Sequence, residues 1–599
     1  MACPARKCLW RLLALGLLAT AGAHLGARET WRKVVTSEFA VITPLEERAA
    51  LAAATEFAQY VSAQRAFFGG RREALPALTI VIFAREKDFD SYRPLVSPGG
   101  KPLAVGGFFS RHESWAVVGM PARVSEDTRR TIFHEGVHWF LSASRTRNPI
   151  WVEEGLAEVF STFRVDGAVA EWGRVIESHV QLLRKTPPMP LQQLLAVSQA
   201  GLGGDDRRRT GAVYAGAWAF VHFLMFGKHE IPRTAISDYL EAVTSGTPPA
   251  EAAPRVFGRP LADLDRALRR YLEDGDYFMA RLPLTAADQP VVSPAGSAEV
   301  EHALGRLALA GRRVDLAMRH AGAMLLAVPN DPRAHELLAL GLRARGDAAG
   351  ALAAFETAVA RGSGGFQPYY EVAAAAHRTA SARGRTLEGS EARRIADLYQ
   401  SALQRYPRHQ ASYENLAGLL GVVDPLREED RRWMELGRRL FPESGMIQLG
   451  VAQGVRRAGD SVRARTMLVE LLAIRPPPET VELANRLLDG WEFEEIGRQI
   501  DELGRGGRFR DALAALEGRL AEGVRPGVRE RLLPVRAQLR GATLAEDAKR
   551  AWEAQDWREA RRALTALVDS TAPEPMKEQA RRMLAELDQK RPGLPAEAR

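Results

Sequence analysis

Residues 134–138 read His-Glu-Gly-Val-His, two imidazoles four positions apart with a carboxylate beside the first. On an α-helix a four-residue step turns about 40° around the axis. Both rings therefore leave one face and can grip one ion at roughly 2.0–2.1 Å, the usual Zn–N bond length. Glu135 falls on the neighbouring edge, where a carboxylate can take a proton from a metal-bound water without being a ligand itself. The surroundings are helical: Ser125 stands where an N-cap belongs, and Glu126 and Asp127 follow in the first turn, where negative charge suits the helix dipole. A catalytic zinc needs three protein ligands and an open position, so one more His or carboxylate is expected nearby. Asn148-Pro149 reads as an N-cap and a first-turn proline. They open a second helix that carries Glu153, Glu154 and Glu158, and the short connection lets it fold back toward the first.

From Trp151 to Glu158 the residues resemble the W-x-x-E-G-x-A-x pattern of the gluzincin metallopeptidases, in which a glutamate on the helix after HExxH is the third zinc ligand. The resemblance implies that Glu154 is that ligand and that Glu153 is a solvent-facing neighbour. Positions 139–153 give 15 residues between His138 and Glu154, somewhat fewer than in the aminopeptidase branch, so the connecting loop differs while the ligand set is kept. Glu158, one turn beyond Glu154, can reach the outer nitrogen of a zinc-bound imidazole and hold it in the ligating tautomer. Thermolysin-like gluzincins carry a carboxylate there too. Tyr214 lies in an apolar helical stretch, and the resemblance implies a tyrosine whose hydroxyl steadies the oxyanion of the tetrahedral intermediate. His222 is the alternative donor.

The chain as a whole is similar to the bacterial peptidase-MA-like domain often called DUF1570, exported proteins that join a gluzincin-like domain to helical repeats. The resemblance runs over roughly residues 31–272 and is specific over 131–160. It implies a zinc metallopeptidase with one Zn2+ per chain and a peptide or protein substrate. The G-x-M-E-N exopeptidase motif is missing, so amino-terminal trimming is not implied. Nucleophile-elbow, phosphate-loop and complete dinucleotide-binding motifs are also absent from the sequence.

The elements that must position these residues follow from periodicity. Residues 34–43 and 78–84 are strand-like, with an Ala-rich helix over 45–68 between them, and 106–119 reads as a hairpin with Phe108 and Phe109 on one arm and Trp115 to Val118 on the other. Beyond it the pattern is almost wholly helical, with a Gly-rich run at 201–204 suited to a mobile lid. The expected class is an α+β zincin-like N-terminal domain over 28–280. A Pro- and Ser-rich linker follows at 281–297, then an all-α solenoid of tetratricopeptide-like repeats over 298–590. The repeat signature is Gly346-Asp347 with Ala351, Phe355 and Ala358, echoed at Gly459-Asp460, Gly507 and Asp556; the pattern suggests four to six repeats.

At 599 residues the chain is too long for one core, and 46% hydrophobic with 26% charged residues excludes a largely disordered chain. The 82 basic residues are interspersed with 74 acidic ones, so the net charge of +8 forms no stripe and does not point to nucleic acid. Arg6, Lys7 and Arg11 precede an apolar stretch over 12–23 that ends in small residues, the pattern of a secretory signal peptide over 1–27. The stretch falls short of the ~20 residues a bilayer span needs, so the expectation is a secreted or periplasmic protein with no transmembrane segment after cleavage. Cys3 and Cys8, the only cysteines, lie in that segment, so a metal site must use His and carboxylates. The competing expectation is an exported, non-catalytic scaffold that binds a protein partner through its repeats; the complete HExxH-plus-Glu154 set weighs against it.

Overall fold

Strands that are apolar on both faces need cover on both sides, and residues 39–43, 78–83 and 115–118 are of that kind. A computed structural model describes residues 30–67, 75–97, 99–142, 148–197, 207–244, 247–284, 289–382, 387 and 389–591. The expected signal peptide and the 201–204 loop lie outside the described residues.

Strands β1 (Arg32–Val35), β2 (Phe39–Thr43), β3 (Ala77–Phe83), β4 (Phe108–Arg111) and β5 (Trp115–Pro121) form a mixed sheet with β9 (Val291–Pro294), in the order β4-β5-β3-β2-β1-β9. The expected hairpin is present: Phe108 pairs with Gly119 and Arg111 with Ala116, and β4 is one of the sheet's two edge strands. Residues 34–43 form two antiparallel strands rather than one.

The two faces of the sheet have different covers. Leu78, Ile80, Ile82, Ala116 and Val118 point into a core built with α1 (Glu47–Phe67), α3 (Glu126–Leu141), α4 (Ile150–Ser161) and α7 (Arg207–Phe226). Val81, Phe83, Trp115 and Val117, on the alternate positions, are covered by Val300, Ala303, Leu304 and Leu307 of α11 (Ser297–Ala310) and by Ala317 of α12 (Val314–Ala327). The approach is close: a Cβ on Gly119 would lie 2.5 Å from Leu307 Cδ1.

Within the 281–297 stretch expected as a linker, the described residues 281–283 and 291–294 are strand. β8 (Ala280–Pro283) pairs with β7 (Val169–Trp172), which pairs with β6 (Arg164–Asp166), and β9 pairs with β1, Val292 opposite Val34. Both prolines sit on outermost strands, where a missing N–H costs no ladder bond. The first compact unit spans 1–385 with 397–408, so the first helices after the sheet belong to it; the second spans 386–396 with 409–599.

In the first unit the remaining short elements are α2 (Glu86–Asp90), α5 (Glu177–Lys185), α6 (Leu191–Leu195), α8 (Ala235–Thr244), α9 (Pro249–Phe257) and α10 (Leu261–Asp274). Helices α13 (Pro332–Ala344), α14 (Ala348–Ala360) and α15 (Phe366–Ala382) continue the helical run, and the unit division passes through α16 (Gly389–Arg405). The second unit holds α17 (Gln410–Leu419), α18 (Glu428–Leu440), α19 (Gly445–Arg457), α20 (Ser461–Ala473), α21 (Pro478–Arg505), α22 (Phe509–Glu522), α23 (Pro526–Glu553), α24 (Trp557–Asp569) and α25 (Glu574–Lys590). From α11 to α25 the described residues carry fifteen helices, enough for seven pairs and one more, against the four to six repeats expected.

The Gly-Asp signature is a helix-to-helix turn. Gly346 and Gly459 take positive φ of 83° and 101°, and the next Asp caps the following helix: Asp347 accepts from Gly350 N at 2.8 Å and Asp460 from Arg463 N at 2.9 Å. Gln555 holds the same conformation at φ 59° before Asp556, which accepts from Glu559 N at 3.1 Å.

Candidate metal centre

Helix α3 starts where the sequence places it: Ser125 Oγ accepts from Thr128 N at 3.2 Å. Its middle is pinned from behind. Trp139 Nε1 donates to Pro76 O at 2.9 Å, and the buried Tyr60 hydroxyl of α1 donates to Phe133 O. Gly136, the first x of HExxH, accommodates that tyrosine, since a Cβ there would lie 2.8 Å from Tyr60 Cε1. Helix α4 begins one residue later than the N-cap reading placed it. Pro149 is the cap, and Asn148 Nδ2 instead approaches Glu153 Oε1 at 3.5 Å. Gly155 is where α7 crosses α4: a Cβ there would lie 2.4 Å from Val221 Cγ2 and 2.6 Å from the Ala217 carbonyl oxygen.

These contacts bring His134, His138 and Glu154 together. The two Nε2 atoms are 3.2 Å apart, and Glu154 Oε2 is 3.3 Å from His134 Nε2 and 3.5 Å from His138 Nε2. Glu154 Oε2 is buried without a hydrogen-bond partner among the described residues. Four ligands around an ion at ~2.0–2.1 Å in a tetrahedron are separated by about 3.3–3.4 Å. The three atoms therefore already stand at the corners of one face of such a shell, and an otherwise orphaned carboxylate oxygen is one of them. Nitrogen and carboxylate donors without sulfur suit zinc, and the residues present fit it. Among the described residues this is the one group of three or more metal-binding side chains so arranged.

Electrostatics bind the cluster. Burial opposes a charge on His134, but the carboxylates of Glu154 and Glu158 that face its two ring nitrogens outweigh it and lift its pKa to about 10 in the metal-free protein. Burial would raise the pKa of Glu154, yet the two imidazoles bring it down to about 2. Glu158, also buried, is held well below the ordinary carboxylate range by His134 and His179. Its Oε1 lies 3.3 Å from His134 Nδ1, the nitrogen turned away from the ligand face. Glu153 is half-buried rather than solvent-facing; burial raises its pKa against the opposing pull of His138 and Arg111.

Glu135 is half-buried beside the cluster and makes no hydrogen bond or ion pair with a described residue. The ring of Tyr214 stands 6.0 Å from that of His134 at 78°, its phenol pushed up to about 12 by burial and by Glu154, Glu135 and Glu158. Tyr214 thus keeps its proton at neutral pH. His222 is in the core instead. It is fully buried, its Nδ1 is 2.6 Å from Tyr271 Oη and its Nε2 2.8 Å from Gly173 O, and burial pushes its pKa down to about 4. It is a packed, satisfied histidine and no longer an alternative donor.

Three residues that the spacing did not single out join the site. His179 of α5 and Arg130 of α3 lie 3.2 and 3.3 Å from Glu158 Oε2, and Arg111 of edge strand β4 donates to the His138 carbonyl at 2.7 Å. Arg130 carried a weak signal, one turn before His134; His179 and Arg111 carried none, because only tertiary folding brings them in.

The family model described as "Protein of unknown function (DUF1570)" matches residues 128–248, which contain this cluster and Tyr214. No curated protein matches the chain. Solved structures with some likeness include the TPR domain of P58(IPK), at 16% identity, covering 49% of this chain and 100% of that one with a TM-score of 0.16. The human IFIT1 dimer with PPP-AAAA gives 13% identity, 69% and 94% coverage and 0.21. Yeast Tom70 gives 12% identity, 78% and 88% coverage and 0.18.

Proposed function

We propose that this chain is an exported zinc-dependent metallopeptidase that hydrolyses peptide bonds, with a helical-repeat region that engages a protein partner or substrate. The observation that carries the reading is the mutual 3.2–3.5 Å spacing of His134 Nε2, His138 Nε2 and Glu154 Oε2. These residues would hold one zinc ion, which when bound supplies a Lewis acid and brings the pKa of bound water toward ~7.

The chain's own groups do the rest. Glu135, without a competing hydrogen bond among the described residues, accepts the proton of the attacking water and returns it to the leaving amine. Tyr214, protonated at neutral pH, donates to the developing oxyanion. Glu158 keeps the His134 ring in the tautomer that leaves Nε2 free to ligate. β4, an edge strand of the six-stranded sheet, is joined through Arg111 to the end of the HExxH helix, and it can pair with an extended substrate backbone.

Export rests on the N-terminal signal pattern, and among the described residues no helix is long and apolar enough to cross a membrane. Paired helices joined by capped turns support partner binding by the repeats. The test is digestion of a mixed peptide library with and without chelator. Cleavage that the chelator stops, zinc restores and Glu135→Gln abolishes while metal is retained is the expected result. Equal hydrolysis by the Glu135→Gln protein defeats the mechanism, and no chelator-sensitive cleavage by the zinc-loaded wild type favours a scaffold.

A further inference from the structure

Glu158 can orient His134 only if its own carboxylate is fixed. One oxygen faces His134 Nδ1 at 3.3 Å; the other accepts from Arg130 Nη2 at 3.3 Å and lies 3.2 Å from His179 Nε2, within ion-pair range but outside hydrogen-bond geometry. Arg130 comes from the same helix as His134, so it cannot report on the rest of the fold. His179 comes from α5, and its ring packs 5.8 Å from Trp218 of α7, one turn beyond Tyr214. Tyr214 in turn faces His134 at 6.0 Å. The chain of contacts His134–Glu158–His179–Trp218, closed by Tyr214 on α7, links the orientation of a metal-binding imidazole to the helix that carries the oxyanion donor.

The geometry points to His179 as a positioning residue for the proposed metal centre: it holds Glu158 so that Glu158 holds His134, and through Trp218 it sets that arrangement against α7. This inference rests on the metallopeptidase reading. A group that only filled space here would need neither its nitrogen 3.2 Å from a buried carboxylate nor the place it takes between α5 and α7.

The experiment measures Zn2+ affinity by competition with a chromophoric chelator, and the visible absorption of the Co2+-loaded protein, for the full chain as wild type, His179→Leu and His179→Gln. Leucine keeps the volume and loses the nitrogen that faces Glu158; glutamine keeps a nitrogen there. Loss of an outer-shell partner typically weakens metal binding by about 10–100-fold. The expected result is a weakening of that order with an altered Co2+ spectrum for leucine, and values near wild type for glutamine. If the leucine protein does not fold, His179→Ala, which leaves a gap rather than a misfit, replaces it. Leucine or alanine protein with wild-type Zn2+ affinity and an unchanged Co2+ spectrum overturns the role of His179 while leaving the metal site intact. Wild-type protein that takes up neither ion overturns the underlying reading as well.

Discussion

Gly155→Ala probes the contact that sets α7, and with it Tyr214, over the candidate metal ligands. The added methyl would lie 2.4 Å from Val221 Cγ2, 2.6 Å from Ala217 O and 3.0 Å from Ala217 C. Non-bonded carbon atoms settle at ~3.5–4.0 Å, so the helices must part by about 1 Å. One obstacle is a backbone carbonyl, which cannot rotate away as a side chain does. Overpacking of this kind costs up to about 3 kcal/mol. Replacing a helical glycine by alanine returns about 1 kcal/mol. The net is a destabilisation of about 2 kcal/mol, or roughly 2–3 °C in the melting temperature of a unit this size. All three candidate ligands lie on α3 and α4, so zinc binding should survive. A ~1 Å displacement of a catalytic group can cost about 100-fold, so kcat for peptide cleavage should fall by that order. Thermal melting, zinc stoichiometry and steady-state kinetics on one preparation read all three. A melting temperature equal to or above wild type, as an unobstructed Gly→Ala in a helix would give, refutes the close-crossing argument.

Three further outcomes follow from the same geometry. Tyr214→Phe should lower kcat by about 10²–10³-fold with KM nearly unchanged and zinc retained, the size expected for one lost oxyanion donor; unchanged kcat would exclude that role. In metal-free protein, His134 at about 10 against an ordinary 6.5 stabilises the fold fully below pH 6.5 and loses that contribution as pH rises through 10. Glu154, brought from 4.5 to about 2, contributes above pH 4.5 and loses its contribution as pH falls through 2. The melting temperature in chelator should therefore be highest between pH 4.5 and 6.5 and decline toward pH 10; a profile flat from 6.5 to 10 contradicts it. Because zinc must displace the His134 proton, its affinity should also rise about tenfold per pH unit between pH ~7 and ~9, as titration calorimetry in buffers of differing ionisation heat would show.

The parts of the site that the sequence reveals are those set by local spacing. His134 and His138 share a face because a helix repeats every 3.6 residues, and Ser125 caps it by a rule three residues long. The β4–β5 hairpin is legible for the same reason. What the reading missed depends on partners far along the chain. β9 pairs with β1 from far along the chain, Val292 against Val34, and its Val291-Val292 pair is obscured by flanking prolines that an edge strand tolerates. The β6–β7 hairpin was overlooked although Asp166-Gly167, with Gly167 at φ 59°, is a recognised turn signal between alternating residues. The boundary at residue 298 divided α11 from a sheet whose second face it covers. Alternating apolar residues in β3 and β5 already demanded such a cover, but sequence does not say which helix supplies it.

The central claim is that His134, His138 and Glu154 form one zinc site, and elemental analysis of the purified wild type beside Glu154→Ala and Glu153→Ala tests it most directly. One zinc per chain is expected in wild type and in Glu153→Ala, and none in Glu154→Ala. Zinc-free wild type, or stoichiometric zinc retained by Glu154→Ala, would contradict it.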